Sequence, residues 1–291
     1  MSEKTGVVSA LPKTTGQVYD LDSIRPITVG PTVSRFFHKI LAHRLSSLIT
    51  EHNLMDPAQF AYLPGKDIHE PINSVLECYK DRQRYNKPCY AIFYDISKAY
   101  DTVRWSSIRR GLGRLGLPKE FTEMVMNILE GTNLVMRTNI KGRVTPVVFI
   151  HQSIKQGCPL APLLFTIVMD ELHQELRTVG GYALGPPGVP QRSPTIHSRG
   201  YSDDTTALAN SIQGLKDMNA VVTRFFLRHN FNVNAVKTKV TGMTGDGTPM
   251  TEKIHWLPGA SVFATVAPST PIKHLGLLIT MTLDWVGTTD C

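Results

Sequence analysis

Three aspartates stand where they could do chemistry: Asp95, at the end of the apolar run Cys89–Tyr94, and the neighbours Asp203 and Asp204 in Tyr201-Ser202-Asp203-Asp204. Carboxylate oxygens are the ligands that hard divalent cations take. Two such ions, about 3.5 to 4 Å apart, can bridge the attacking and leaving oxygens of a phosphoryl transfer. Asp95 and Asp203 are the candidate pair. Successive strand residues point to opposite faces, so Asp204 reaches the same site only where the strand twists into a turn. Either acid taken alone is more often structural, because aspartates cap helices and turns everywhere. Asp101 fits a helix cap or a salt bridge better than a metal site.

Acids of this kind need elements that aim them. Cys89–Tyr94 suits a buried strand that delivers Asp95 at its C-terminal end. Tyr201–Asp204 lies between Gly200 and the run Thr205–Ala209, which predicts a hairpin with the acids at its turn. A helix through Leu215, Met218, Val222, Phe225 and Phe226 should pack behind it. Helical spacing also marks Val33, Phe36, Phe37, Ile40, Leu41, Leu45 and Leu48, with one face packed, and Ile68, Ile72, Val75, Leu76 and Tyr79. Further helices are expected over Phe121–Leu129 and Leu160–Leu176. Val135–Ile150 predicts a hairpin turning at Lys141-Gly142, and the Gly- and Pro-rich stretch Gly180–Pro194 a loop.

Bulk properties narrow the partners. With 42% apolar and 19% charged residues the chain belongs with folded proteins, not disordered ones. A net charge of +7 and a pI near 9.2 favour a polyanionic partner such as nucleic acid, although a merely basic surface gives the same numbers. The basic residues are spread along the chain, which predicts a broad groove rather than a basic arm. Four cysteines without C-x-x-C spacing point to free thiols in a reducing compartment, and ten scattered histidines show no zinc pattern. No signal peptide or apolar run long enough for a membrane span is visible. The expected location is intracellular, nucleus and cytoplasm not being distinguished.

Tyr94-Asp95-Ile96-Ser97-Lys98-Ala99-Tyr100-Asp101, Gln156-Gly157-Cys158-Pro159-Leu160-Ala161-Pro162-Leu163 and Tyr201-Ser202-Asp203-Asp204 resemble, in order, three palm motifs of reverse transcriptases, in the form found in non-LTR (LINE-type) retrotransposons. Looser similarities extend over about residues 20 to 282: Arg25-Pro26-Ile27, the turn Gln59–Lys66, Asn234–Thr238 and the primer-grip-like His274-Leu275-Gly276. The resemblance implies an α+β right-hand polymerase architecture, with a mainly antiparallel palm sheet, helices on one face, a fingers lobe, and a thumb largely absent. The implied segments are a flexible N-terminal stretch 1–19, fingers 20–87 and 117–147, palm 88–116 and 148–282, and a truncated tail 283–291.

The implied function is RNA-directed DNA polymerisation, extending a primer 3′-hydroxyl with deoxynucleoside triphosphates on an RNA template. The alternative is a catalytically inert nucleic-acid-binding remnant of such an element. On the first reading Asp95, Asp203 and Asp204 bind two Mg²⁺ ions, with Mn²⁺ as a substitute. Tyr100 lies under the incoming sugar, where a bulky ring excludes a 2′-hydroxyl. Gln156 and Gly157 lie against the templating pair, Lys66 contacts the triphosphate, and Lys237 donates a proton to the leaving pyrophosphate. Outside such a motif an exposed lysine is usually a solvated charge. The sequence departs from the family at Leu63, where arginine is usual, and at Ser202, where alanine is usual. His197–Gly200 is also more polar than a buried strand should be, which predicts a loosened hairpin.

Overall fold

Cys89–Tyr94 is the central strand of a five-stranded sheet, and all six of its residues are buried. The computed structural model describes residues 5–12, 24–137, 143–188, 194–256 and 261–284. They divide into two compact units, Met1–Leu54 with Tyr100–Val168, and Met55–Ala99 with Met169–Cys291.

The second unit holds the sheet. Its strand order is Ala264–Thr265, Lys239–Met243, Cys89–Tyr94, Asp204–Ala209, Ser198–Tyr201. All neighbours are antiparallel except Ala264–Thr265, which runs parallel to Lys239–Met243. Residues of a strand alternate between faces. Cys89, Ala91 and Phe93 therefore join a core with Val75, Cys78 and Tyr79 of the helix His69–Tyr85. On the opposite face, Tyr94 meets Phe226 of the helix Ile212–His229 and donates its hydroxyl to Asn219 at 3.1 Å. An unbroken apolar strand needs cover on both sides, so the helical layer expected on one face is joined by His69–Tyr85 on the other. Residues 55–87, which include that helix, share a compact unit with the central strand.

The helix Ile212–His229 starts where the Ser211 hydroxyl accepts the Gly214 N–H at 3.0 Å and stops at Asn230, which is left-handed at φ 63°. The hairpin Ile272–His274 with Leu277–Ile279 turns through Leu275 and Gly276, both at positive φ, as a two-residue hairpin favours. Between Gly180 and Pro194 the described residues include the strand Tyr182–Ala183, which pairs with Thr195–Ile196.

The first unit carries a four-stranded sheet in the order Ile24–Val29, Thr5–Pro12, Asn133–Met136, Val148–Phe149. Within the stretch expected to be flexible, Thr5–Pro12 is thus a strand, because both its edges are paired, antiparallel on one side and parallel on the other. Lys141-Gly142 lies outside the described residues, but the flanking strands do pair, Asn133 opposite Phe149. The helix Thr32–Glu51 buries Leu41, Leu45 and Ile49 and leaves Val33, Phe36 and Phe37 exposed. Of the stripe predicted from spacing, Leu41 and Leu45 are packed, while Leu48 near the helix end is exposed like the residues at its start. Trp105–Arg114 and Lys119–Leu129 are also helical. Among the described residues, no helix is long and apolar enough to cross a membrane.

A carboxylate cluster at the sheet end

Thr205 is the register partner of Tyr94. Asp204 precedes Thr205 and Asp95 follows Tyr94, so both acids lie at the same end of this strand pair. Asp204 also pairs with Tyr201, and the two enclose the turn Ser202-Asp203. Ser202 adopts φ 60°, a left-handed conformation rare for a residue with a side chain and typical of functional turns. The structure thus brings Asp95, Asp203 and Asp204 to one end of two adjacent strands.

Their electrostatics record the crowding. The Asp203 carboxyl is raised above the usual range by burial and by the negative charge of Asp95, its own backbone N–H opposing part of the shift. Asp204 is pushed up to about 6 by the protein around it first, then by Asp203 and Asp95. Asp204 is nonetheless open to solvent on one side. Water there offsets the effect of burial, so repulsion from its two neighbours is the firmer cause. Among the described residues, no three His, Cys, Asp or Glu side chains form a ready-made metal cage. The donor set still fits a divalent cation, because mutually repelling carboxylates are stabilised by one, and Mg²⁺ commonly takes only one or two carboxylates beside phosphate and water.

Asp95 is held through its backbone. Its N–H donates to Thr238 Oγ1 at 3.1 Å, and its carbonyl accepts the Asn234 N–H at 2.8 Å. The Thr238 N–H in turn donates to the Asn234 carbonyl at 2.8 Å. Lys237 sits on this turn, exposed, its N–H bonded to Asn234 Oδ1. The turn carrying Lys237 is therefore stitched to Asp95.

The strand leading into the acid turn is polar but not loose, which corrects the expectation drawn from His197–Gly200. Ser198 is fully buried, and its hydroxyl lies 2.8 Å from Nδ1 of both His173 and His197. His197 Nε2 approaches Asp56 at 3.8 Å, and Asp56 is ion-paired with Arg177. The Gly200 N–H donates to Ala58 at 2.8 Å, and its carbonyl accepts from Phe60 at 3.0 Å. A Cβ at Gly200 would lie 2.2 Å from His173 Nε2. Glycine is needed there so that the strand can meet the ring.

Lys66 belongs to the same unit, on the turn that follows this anchored stretch. It is exposed, 3.7 Å from Glu70, with its ammonium 5.1 Å from the centre of the Phe60 ring. Tyr62 of the same turn lies 6.3 Å from the Tyr201 ring.

Tyr100, Gln156 and Gly157 belong to the first unit. The Tyr100 ring stacks on Phe165 at 5.3 Å, and its carbonyl accepts the Ile154 N–H at 2.9 Å. Gln156 accepts the Thr28 N–H through its carbonyl at 2.6 Å. Gly157 sits at φ 111°, and an added Cβ would be 2.6 Å from the Thr28 carbonyl oxygen. The close approach that Gly157 allows in this unit is to the strand Ile24–Val29.

The family described as "Reverse transcriptase (RNA-dependent DNA polymerase)" matches residues 11–279. The chain belongs to the reverse transcriptase family. It is 29% identical over 235 residues to the "Retrovirus-related Pol polyprotein from type-1 retrotransposable element R2" of Popillia japonica, covering 80% of this chain and 31% of that one. It is 28% identical over 261 residues to the polyprotein of the type-2 element R2DM of Drosophila melanogaster, covering 89% and 24%. It therefore spans less than a third of these curated relatives. They place it among the reverse transcriptase domains of non-LTR retrotransposons, in the enzyme class of RNA-directed DNA polymerases. Its fold is similar to apo telomerase from Candida tropicalis, with a TM-score of 0.63 and 13% identity over 97% of this chain and 54% of that one. This likeness extends the right-hand polymerase fold to nearly the whole chain.

Proposed function

We propose that this reverse transcriptase domain extends a DNA primer on an RNA template, joining the primer 3′-hydroxyl to the α-phosphate of a deoxynucleoside triphosphate inside the cell. The observation that carries this reading is the convergence of Asp95, Asp203 and Asp204 at one sheet end, each raised carboxyl being crowded by another acid. These three residues would hold two Mg²⁺ ions, or Mn²⁺ in their place. Bound there, the ions would supply charge neutralisation at the reacting phosphate and activation of the hydroxyl.

The remaining roles belong to side chains of this chain. Lys66 binds the triphosphate as an exposed charge on an anchored turn. Lys237 gives a proton to the leaving pyrophosphate from the turn bonded to Asp95. Tyr100, braced by Phe165, excludes a 2′-hydroxyl. Gln156 and Gly157 support the templating pair. Nucleic acid is gripped mainly through its backbone, and base pairing supplies the sequence.

The deciding experiment extends a labelled DNA primer on an RNA template with Mg²⁺, offering deoxy- or ribonucleotides, beside an Asp203→Asn control. Deoxynucleotide-dependent extension that disappears in the control supports the reading. A folded protein that binds template yet extends nothing overturns it in favour of an inert remnant.

A further inference from the structure

The second unit has a cavity of about 550 Å³ on the outer side of the helix Ile212–His229. It contains none of Asp95, Asp203, Asp204, Lys66 or Lys237. One wall is a helical stripe from Lys216 to Arg224, with the small residue Ala220 between them, and the other is the segment 253–256. The walls are bonded to each other rather than merely adjacent. Asn219 Nδ2 donates to the His255 carbonyl at 2.8 Å, and Thr223 Oγ1 to the Trp256 carbonyl at 3.0 Å. The groove is therefore preformed.

Its charge has one sign. Lys216, Arg224, Lys253 and His255 line it, and no acidic residue does. Lys216 is engaged by Glu252. Arg224 and Lys253 are exposed and have no acidic partner among the described residues. Trp256 adds a partly exposed aromatic surface, steadied from behind by Phe226 at 5.5 Å and Phe263 at 6.3 Å. Free cations beside a braced aromatic ring match a nucleic-acid strand, whose phosphates need charge and whose unpaired bases need a stacking platform. A small acidic ligand would have no use for the indole. A duplex would hide its bases from it.

We propose that this groove is a second track for single-stranded nucleic acid, separate from the polymerising acids, with phosphates held by Arg224 and Lys253 and a base stacked against Trp256. The track goes beyond the polymerase reading and does not depend on it.

The test is fluorescence anisotropy with a labelled single-stranded RNA of about 16 nucleotides, titrated with the full chain in EDTA over a series of salt concentrations. Arg224→Gln with Lys253→Gln should weaken binding about tenfold and flatten the log–log salt slope by about 1.4, as loss of two phosphate contacts on a single strand requires. Trp256→Ala in the same groove should weaken binding with little change of slope. Lys80→Gln with Arg84→Gln removes the same charge from the helix His69–Tyr85 and controls for net charge. If the groove pair and this control lose affinity and slope equally, the track does not exist. Thermal melting checks that every variant is folded. Because EDTA removes any polymerising metal, the binding result stands whether or not primer extension succeeds.

Discussion

Tyr94 and Thr205 are partners across the central antiparallel pair, and this one register fixes where the acids fall. Asp95 follows Tyr94 and Asp204 precedes Thr205, so two like charges lie at the same end of this pair, and Asp203 sits in the turn that joins Asp204 to Tyr201. Without metal the arrangement is repulsive. Asp203→Asn should therefore abolish extension while leaving the metal-free fold at least as stable. The open side of Asp204 limits the gain to about 1 kcal/mol or less, or a Tm rise of no more than about 3 °C. Thermal melting in EDTA reads this directly. A variant that melts well below the parent would show that Asp203 is structural.

Stability should fall with acid in a window set by buried imidazoles. Burial pushes His274 down to about 4, and it pushes His173 and His197 well below their ordinary range, with nearby Asp56 opposing and Arg199 assisting. Unfolded, each ring titrates near 6.5. Between that value and the folded one, the unfolded chain binds more protons, so stability is complete above about pH 6.5 and is lost as pH falls towards 4. Each ring contributes about 1.4 kcal/mol per pH unit in that window. His173→Gln keeps a polar partner for Ser198 without a titrating ring, and it should flatten the dependence of urea midpoint on pH by one ring's share. An unchanged dependence would refute the assignment.

Thr238 offers a test of positioning. Its hydroxyl is the acceptor for the Asp95 N–H, and the residue is fully buried. Thr238→Val keeps the shape and removes the acceptor, which should cost about 1 kcal/mol in stability. Extension should slow through kcat, with little change in KM for deoxynucleotide. Thr238→Ser should restore both. A KM effect without a kcat effect would place Thr238 in substrate binding instead.

Much of this site was legible in the sequence because its elements are local. Cys89–Tyr94 is an uninterrupted apolar run, and Gly200 to Ala209 carries its turn in the middle, so strand, hairpin and acids follow from neighbours. The anchors were not legible. Asp56, Arg177 and His197 are far apart in the chain, and only folding brings them together around Ser198. Polarity in His197–Gly200 suggested weakness because sequence shows a buried polar group without showing its partner. Thr238 carried a faint signal, as the last residue of the segment around Lys237. The helix Thr32–Glu51 shows the converse limit: spacing marks an apolar stripe at Val33, Phe36 and Phe37 but does not say what, if anything, covers it.

In the proposed function the sugar preference rests on Tyr100. Its ring lies nearly parallel to Phe165, at 9°, and its backbone is tied to Ile154, so the side chain is braced and cannot easily swing aside. A rigid ring rejects an added hydroxyl by collision, whereas a mobile one would only lose some contact. Tyr100→Val should leave deoxynucleotide use within a few-fold of the parent and raise the ribonucleotide-to-deoxynucleotide ratio of kcat/KM by about 10- to 100-fold, the range expected when a steric contact of 1 to 3 kcal/mol is removed. Single-nucleotide extension with matched deoxy- and ribonucleotides gives that ratio. Tyr100→Phe retains the ring and should keep the discrimination. If Tyr100→Phe loses as much as Tyr100→Val, selection runs through the phenol hydroxyl and the steric account fails.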